Sequence, residues 1–335
     1  MTALGKLIID KLPNIAADTL PRGDCVLDME FTGAANQCVL FLKPEATTIS
    51  AGVDVEEILE ITLAALSAHH VSVRKSRILN GAYLQKFSIM DAHYGVINRI
   101  SQLGELALSV DSKSRLADLL KDDWPMRIMG GHQFQAAYKD LSSFALNVLS
   151  DSVGTRKLGG GTYFIVAKAG GESIAVLNPF HLHQLDHFTA PGKAIVLFAC
   201  ETDTTWSQLR QDLIGATNPA TAKPGSIRAT LLRRQKEIHL PEVSQGVNGV
   251  HLSAGPAEGM VEYQRFFSDH FSDCTIPFGE TTMGSILIQK GWDAHRVKDL
   301  ASNPNLLLDG KQVSAFDATE EFDTSNAIDL LIAEG

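Results

Sequence analysis

Cysteine is scarce in this sequence, and its arrangement argues against both a disulfide framework and a structural zinc site. The four cysteines (Cys25, Cys38, Cys200 and Cys274) lie far apart and form no Cys-x-x-Cys pair. Disulfide frameworks are typical of short, cysteine-dense chains, and structural zinc sites of closely spaced cysteine pairs. We therefore predict that all four are free, buried thiols.

Long apolar runs and an excess of positive charge are also absent. The most apolar stretch, residues 194–200, is far shorter than the roughly 20 residues that span a bilayer. The first residues lack the basic and apolar segments of a secretory leader. A net charge of −10 argues against sequence-independent binding of nucleic acid, although a local basic pocket for a phosphate is compatible with it. We expect a soluble, cytoplasmic protein with no membrane or nucleic-acid partner.

The composition does provide for a substantial core. The chain has 335 residues, of which 44% are hydrophobic, enough for one large domain or two ordinary ones. Apolar patterns predict strands at 38–42, 70–74 and 194–199 and a β-hairpin from 162–167 and 173–177. They predict helices at 53–68, 90–108, 134–149, 204–213, 257–267, 285–300 and 326–333. A Trp124-Pro125 break lies between the second and third of these helices, and residues 1–35 have a mixed pattern typical of an extension.

Residues 217–228 form a loop with an unusual density of proline and glycine. Two prolines and a glycine predict a rigid, non-repetitive conformation that carries the hydroxyl of Thr217 and the guanidinium of Arg228. Arginine offers planar, bidentate donors to phosphate groups. The loop therefore fits an oligophosphate, and an ordinary structural loop is the alternative.

A histidine lies in a second polar motif, Asn248-Gly249-Val250-His251-Leu252-Ser253. A lone histidine is more often structural than catalytic, but Glu262 follows in the next predicted helix, which can pack against the strand end. A carboxylate that accepts a hydrogen bond from one ring nitrogen fixes the tautomer and leaves the other nitrogen as a nucleophile. Ser253 could in turn support Glu262.

A third group, His181, His183, Asp186 and His187, has the residue types of a metal cluster. Its spacing fits no standard zinc pattern. We predict no metal bound by the protein's own residues.

Five motifs, taken in chain order, resemble those of the nucleoside diphosphate kinases. They are Phe41-Leu42-Lys43-Pro44-Glu45, His93-Tyr94, Pro179-Phe180, the loop from Gly215 to Arg228, and Asn248-x-x-His251-x-Ser253 with Glu262. They cover residues 36–94 and 178–270. A single match of this kind is weak, whereas the ordered set is specific.

The resemblance implies an α+β fold with a ferredoxin-like, four-stranded antiparallel sheet and helices, enlarged by additions. Residues 36–94 and 178–270 would form the kinase-like core. Residues 1–35 would be an N-terminal extension, residues 95–177 an insertion of helices and a β-hairpin, and residues 271–335 a C-terminal extension.

The resemblance also implies a reaction. The γ-phosphoryl group of ATP would pass to a nucleoside diphosphate through a phosphohistidine, in ping-pong exchange. The implied catalytic residues are His251, Glu262, Ser253 and Lys43. The implied nucleotide-binding residues are Lys43, Tyr94, Phe180, Arg210, Thr217, Arg228 and Asn248. Mg²⁺ would be carried by the nucleotide phosphates, and a dimer-based homo-oligomer is expected.

The sequence departs from the family pattern at several positions. Gln211 stands where the family has a phosphate-binding arginine, and Arg210 beside it could substitute. Ala254 replaces an acidic residue near the site. Extra residues after Arg228 include Arg233, Arg234 and Lys236, which are either a solvated basic run or a replacement phosphate contact. A specialised acceptor for the same phosphohistidine, or a scaffold protein with weakened catalysis, are therefore alternatives to the standard reaction.

Overall fold

The computed structural model describes residues 1–121 and 127–334. Its strands are β1 (Gly23–Asp28), β2 (Asn36–Leu42), β3 (Ser72–Asn80), β4 (Arg127–Gly130), β5 (Arg156–Gly159), β6 (Thr162–Ala169), β7 (Glu172–Leu177), β8 (Ala194–Thr202), β9 (Val250–Leu252), β10 (Asn305–Leu308) and β11 (Lys311–Ser314). Its α-helices are α1 (Ala3–Ala17), α2 (Pro44–Thr47), α3 (Val55–Ala68), α4 (Gly81–Lys86), α5 (Ile89–His93), α6 (Gly95–Leu103), α7 (Val110–Leu120), α8 (Gly131–Ala137), α9 (Ser143–Val153), α10 (His181–Thr189), α11 (Trp206–Gln208), α12 (Ile227–Arg234), α13 (Pro256–Phe267), α14 (Thr282–Gln289), α15 (Ala294–Leu300), α16 (Ala315–Thr319) and α17 (Thr324–Glu334).

The chain divides into two compact units, one of residues 1–87 and 191–335 and one of residues 88–190. Helices and antiparallel strands occur in both, so the fold is mixed α+β, as predicted.

The main sheet of the first unit has five strands in the order β1-β3-β8-β2-β9, and all neighbouring strands are antiparallel. Every residue of β2 and β8 is buried, which explains why both sequences are continuous apolar runs instead of alternating ones. The sheet has one strand more than the four expected for the core, because β1, from the predicted N-terminal extension, pairs with β3 at the edge.

The N-terminal residues are more regular than their sequence pattern indicated. Helix α1 begins at an N-cap, Thr2, whose hydroxyl accepts a hydrogen bond from the amide of Gly5 at 3.1 Å. Its residues Ile8, Leu12 and Ile15 are fully buried, at the spacing of one helix face. Residues 1–35 therefore contribute both a helix and an edge strand to this unit.

Helix α3 agrees with the helix predicted at 53–68. The side chain of Asp54 caps it by accepting from the amide of Glu57. Its apolar side, which includes Ile58 and Leu59, is buried in the same hydrophobic cluster as α1 and the inner strands. The predicted helix at 285–300 is divided into α14 and α15, with Asp293 as the N-cap of the second helix.

The second unit, residues 88–190, has a sheet in the order β4-β7-β6-β5. Strands β6 and β7 form the predicted hairpin. The predicted helix at 134–149 is divided into α8 and α9, because Ser142 is the N-cap of a new helix and accepts a hydrogen bond from the amide of Ala145. The predicted Trp124-Pro125 break lies outside the described residues.

Two of the four cysteines are not buried as predicted. Cys38 and Cys200 are buried opposite each other on β2 and β8. Cys25 and Cys274 are exposed, because β1 lies at the sheet edge and Cys274 follows the end of α13. Within the described part of the chain, no helix combines the length and the apolar character needed to cross a membrane.

Candidate active site

His251 lies on β9, the short strand at one edge of the main sheet. It is paired with Phe41 of β2, and the two rings stack with centroids 4.5 Å apart. The side chain of His251 is 18% exposed. The strand follows Gly249, whose φ of +77° is a left-handed conformation that favours glycine. This turn brings His251 into register beside Phe41.

Glu262 of α13 is fully buried and contacts His251 directly. Its Oε1 lies 2.7 Å from Nε2 of the imidazole. Its Oε2 accepts a hydrogen bond of 2.5 Å from the hydroxyl of Ser253, which accepts one of 3.0 Å from the amide of Val39. Because both oxygens of the carboxylate have partners, its orientation relative to the ring is fixed. This is the arrangement that the sequence predicted for the three residues.

Burial shifts the pKa values of this pair in opposite directions. It raises the pKa of Glu262 to about 7, against the hydrogen bond from Ser253 and the positive charge of Arg265. Burial also lowers the pKa of His251 well below 6.5, and the charges of Lys43 and Arg210 lower it further. The imidazole is therefore neutral near pH 7. The contact with Glu262 favours the tautomer with the proton on Nε2 and the lone pair on Nδ1.

Lys43, Asn248 and Thr217 form a connected group in the same unit. The ammonium of Lys43 donates to Oδ1 of Asn248 at 2.7 Å, and Nδ2 of Asn248 donates to the carbonyl oxygen of Thr217 at 3.1 Å. The amide of Lys43 also donates to the carbonyl of Gly249 at 2.9 Å. Burial lowers the pKa of Lys43, while the charge of Glu45 raises it. Asn248 thus links the cation at the end of β2 to the loop that begins at Thr217.

Arg228 is the second residue of α12 and is only 5% exposed. Its two terminal nitrogens donate to the carbonyl oxygens of Gly215 at 2.9 Å and of Val250 at 3.1 Å. Its Nε is buried without a hydrogen-bond partner among the described residues. Burial lowers the pKa of Arg228 to about 10, and the charge of Arg210 acts in the same direction. Arg228 therefore remains a cation. One of the two carbonyl groups that bind it belongs to Val250, the residue before His251.

Arg210 lies in a π-helical turn, Leu209–Ile214, that follows α11. Its Nη1 donates to the carbonyl oxygen of Leu252 at 3.1 Å. The adjacent Gln211 instead donates to a carboxylate oxygen of Glu321 at 3.3 Å. Arg210 thus has direct contact with the strand of His251.

Two charged residues of α13 near the site, Glu258 and Arg265, were not predicted from the sequence. Oε2 of Glu258 accepts a hydrogen bond of 2.6 Å from the amide of Ala254, and burial and the charge of Glu262 raise the pKa of Glu258 to about 8. Glu258 thus places a second carboxyl group next to Ala254, the residue that stands where the family resemblance has an acidic one. Arg265 interacts electrostatically with both carboxylates. The signal was the helical spacing of Glu258 and Arg265 from Glu262, because residues three or four apart share a helix face.

The basic run after Arg228 agrees with the solvated alternative. Arg234 forms ion pairs with Glu57 and with Glu237. Arg233 and Lys236 are exposed.

The remaining predicted residues belong to the second unit. Tyr94 is the C-cap of α5 and is half-buried. Phe180 is the N-cap of α10, and its ring meets that of Tyr163 edge-on at 5.7 Å. His181 is fully buried, with Nδ1 3.1 Å from Gln184 and Nε2 3.2 Å from Asn98. Burial lowers its pKa to about 4.

The chemistry available at His251 follows from these contacts. A neutral imidazole is oriented by a buried carboxylate, and the positive charges of Lys43, Arg210, Arg228 and Arg265 all act on it. Cations held in a partly buried site stabilise an anion far better than they do in water. The site is thus suited to a nucleophilic histidine that attacks an anionic group.

No protein-family model and no curated protein matches the chain. Among solved structures, it is similar to a nucleoside diphosphate kinase from Encephalitozoon cuniculi in an apo, cubic crystal form. The identity is 13%, the match covers 70% of this chain and 90% of that chain, and the TM-score is 0.35. It is also similar to an NDP kinase from Pyrobaculum aerophilum, with 16% identity over 70% of this chain and 96% of that chain and a TM-score of 0.31.

Proposed function

We propose that this protein is a phosphotransferase that moves the γ-phosphoryl group of ATP to a nucleoside diphosphate through phosphorylated His251. The observation that carries the proposal is the contact of 2.7 Å between Nε2 of His251 and the buried carboxylate of Glu262. That contact assigns the proton to Nε2 and the nucleophilic lone pair to Nδ1.

The reaction has two half-reactions. In the first, Nδ1 of His251 attacks the γ-phosphorus, the bond from that phosphorus to the bridging oxygen breaks, and ADP leaves. In the second, the terminal oxygen of a nucleoside diphosphate attacks the phosphorus, and its bond to Nδ1 breaks. Glu262 accepts the hydrogen bond of the Nε2 proton throughout, so it stabilises the positive charge that the ring gains when it is phosphorylated.

Positively charged side chains around His251 can stabilise the phosphoryl group during its transfer. Phosphoryl transfer depends mainly on positioning and on stabilising the charge of the equatorial oxygens. We assign that stabilisation to Lys43, Arg210 and Arg228, and assign contacts to the phosphates or ribose to Thr217 and Asn248. The roles of Tyr94 and Phe180 stay predictions from the resemblance.

Mg²⁺ is proposed to arrive on the nucleotide. The carboxylates of Glu258 and Glu262 already bind the amide of Ala254, the hydroxyl of Ser253 and the ring of His251. This use of both groups fits a metal that is held by the phosphates instead of by a carboxylate cage. When bound, Mg²⁺ neutralises charge on the transferring phosphoryl group.

The strand order supports the ferredoxin-like core that the sequence resemblance implies. Without β1, the order of the sheet is β3-β8-β2-β9. If these four strands are numbered 1 to 4 along the chain, they lie in the order 2-3-1-4. We propose that these strands are a ferredoxin-like core, formed by residues 36–94 and 178–270 with the additions named above. A dimer-based homo-oligomer stays a prediction.

A specialised acceptor is the second candidate. It is favoured by the environment of Arg210 and Gln211, which contact Glu320 and Glu321 of the C-terminal part of the chain. These two carboxylates repel the phosphates of a nucleoside diphosphate acceptor, and they suit an acceptor with less negative charge.

Labelling with γ-labelled ATP and Mg²⁺ tests both candidates. The proposal expects acid-labile label on the wild type, its loss in His251→Asn, and its retention in the control His295→Asn, which changes an exposed histidine of α15. Addition of nucleoside diphosphates should then discharge the label as nucleoside triphosphate.

The possible results separate the alternatives. Equal labelling of wild type and His251→Asn would refute phosphorylation of this residue. Label that no nucleoside diphosphate removes would favour the specialised acceptor. Nucleotide binding without labelling would favour a scaffold.

A further inference from the structure

The segment between α16 and α17 brings two carboxylates to the residues around His251. Nη2 of Arg210 lies 3.5 Å from Oε1 of Glu320. Nε2 of Gln211 donates a hydrogen bond of 3.3 Å to Oε2 of Glu321. Each pair is separated by 110 positions in the sequence. The C-terminal part of the chain therefore supplies negative charge to a guanidinium that we assign to phosphate binding.

Backbone contacts hold this segment against the residues that follow His251. The amide of Glu321 donates to the carbonyl oxygen of Ala254 at 3.0 Å. A Cβ atom at Gly255 would lie 2.5 Å from the carbonyl oxygen of Thr319 and 3.1 Å from Cα of Glu320. Only glycine permits this approach, so Gly255 is the residue that lets the acidic segment lie against the end of β9.

The segment is also held at its other end. Oδ1 of Asp323 accepts a hydrogen bond of 2.9 Å from the amide of Trp206, the first residue of α11. Oδ1 of Asn36 accepts bonds from the amide and the hydroxyl of Thr324 at 3.0 and 2.8 Å. Since α11 leads into the π-turn of Arg210, the carboxylates and the guanidinium are anchored to the same region. Little conformational entropy remains to be lost when they pair.

Helices α16 and α17 are themselves packed on the helix of Glu262. Ala315, Ala327 and Ile328 belong to one buried cluster with Ala257 and Met260 of α13. The acidic segment is thus part of the folded unit that forms the site.

We propose that Glu320 and Glu321 are a built-in competitor for anionic ligands at Arg210 and determine how strongly the site holds a polyphosphate. Glu320 pairs with Arg210 before a ligand binds, so an incoming phosphate must displace this carboxylate or bind against its repulsion. Repulsion grows with ligand charge. Binding of a triphosphate is therefore weakened more than binding of a diphosphate. This inference rests on the proposed function, because it takes the anion to be the phosphate chain of a nucleotide.

The direction of the change in nucleotide affinity distinguishes two possible roles of the carboxylates. If the carboxylates instead helped to bind the Mg²⁺ of the nucleotide, their loss would weaken binding. If they compete for Arg210, their neutralisation strengthens it. Glu320→Gln and Glu321→Gln keep the size and the hydrogen-bonding capacity of the side chains and remove only the charge.

The experiment is calorimetric titration of the full-length wild type and of both variants with Mg²⁺ and a non-hydrolysable ATP analogue, then with ADP. Glu320→Gln should lower the Kd of the ATP analogue by about two- to fivefold, the range for a partly exposed charge pair. The decrease for ADP should be smaller, and both should shrink at high salt because exposed charges are screened. Asp309→Asn, at the exposed turn between β10 and β11, removes one charge from the same part of the chain as a control.

An unchanged or higher Kd in Glu320→Gln, with Glu321→Gln also unchanged, overturns the inference. So does an equal decrease in Asp309→Asn, because the effect would then be one of net charge. Labelling of His251 is measured on the same samples. Normal labelling with unchanged Kd values would reject this inference alone, whereas tighter binding without any labelling would support it and reject the transfer reaction.

Discussion

The hydroxyl of Ser253 donates a hydrogen bond of 2.5 Å to Oε2 of Glu262, the carboxylate whose other oxygen contacts His251. A hydrogen bond to the charged form of a carboxylate favours that form. Ser253 therefore helps to keep Glu262 ionised although burial raises its pKa to about 7. The serine acts on His251 only through the glutamate, so it is a positioning residue.

Replacement of Ser253 by alanine is expected to shift the acid limb of the phosphorylation rate to higher pH. Loss of the hydrogen bond raises the pKa of Glu262 further, so the ionised form that orients His251 is lost at a higher pH, by about one unit or less. The rate of label incorporation measured from pH 5.5 to 8.5 gives this midpoint. Ser76→Ala is the matched control, because the buried hydroxyl of Ser76 has no hydrogen-bond partner among the described residues. A Ser253→Ala profile that coincides with the wild type contradicts the assigned role.

Replacement of Glu262 by glutamine is expected to slow phosphorylation of His251 by roughly 10²-fold or more. The amide has the size of the carboxylate, but it cannot stabilise the positive charge on the phosphorylated ring, and it can donate to Nε2 and select the wrong tautomer. Rapid quenching of the labelling reaction measures the rate. Glu280→Gln, at an exposed position after α13, should label at the wild-type rate. Near-normal labelling of Glu262→Gln would show that the contact is structural.

The carboxyl group of Glu258 is expected to make the folded protein less stable as the pH rises. Its pKa in the fold is raised from 4.5 to about 8, so between these values the folded state binds more protons than the unfolded state. Its contribution to the free energy of unfolding is then present below about pH 4.5 and is lost as the pH rises through about 8.

Glu258→Gln removes this contribution and keeps an acceptor for the amide of Ala254. The variant should therefore gain stability relative to the wild type from pH 5 to pH 8.5, by about 1–3 kcal/mol. Denaturant unfolding at the two pH values measures the difference. A constant difference between the two proteins over this range would mean that Glu258 is ionised in the fold at every pH tested.

Replacement of Gly249 by alanine is expected to destabilise the protein by about 1–3 kcal/mol and to slow labelling. Gly249 has a φ of +77°, and a Cβ atom there would lie 2.7 Å from Cδ1 of Leu231. Its amide also donates to Oε1 of Glu45 at 2.9 Å, so a shift of this residue displaces the start of β9. Gly246→Ala is the control, since nothing lies within 4 Å of a Cβ atom at that position. Equal thermal stability of the two variants would contradict this account.

The contact between His251, Ser253 and Glu262 could be predicted from sequence because His251 lies on β9, Ser253 directly follows that strand, and Glu262 lies on the next helix. Short separation leaves few ways for such elements to pack. The inner strands β2 and β8 could be predicted for a different reason: complete burial produces continuous apolar runs.

The edge strand and the acidic segment could not be predicted in the same way. Strand β1 is partly exposed, so its sequence lacks the apolar pattern of a buried strand. The pairing of Arg210 with Glu320 joins residues 110 positions apart and depends on how α16 and α17 pack on α13. No local periodicity encodes such a contact.

The central claim is that Glu262 holds Nε2 of His251 and that Nδ1 accepts the phosphoryl group. The most direct test is phosphorus NMR of the protein after reaction with ATP and Mg²⁺, compared with reference compounds phosphorylated on each ring nitrogen. The account predicts a single phosphohistidine with phosphorus on Nδ1, absent from His251→Asn. Phosphorus on Nε2, or a phosphohistidine that persists in His251→Asn, would contradict it.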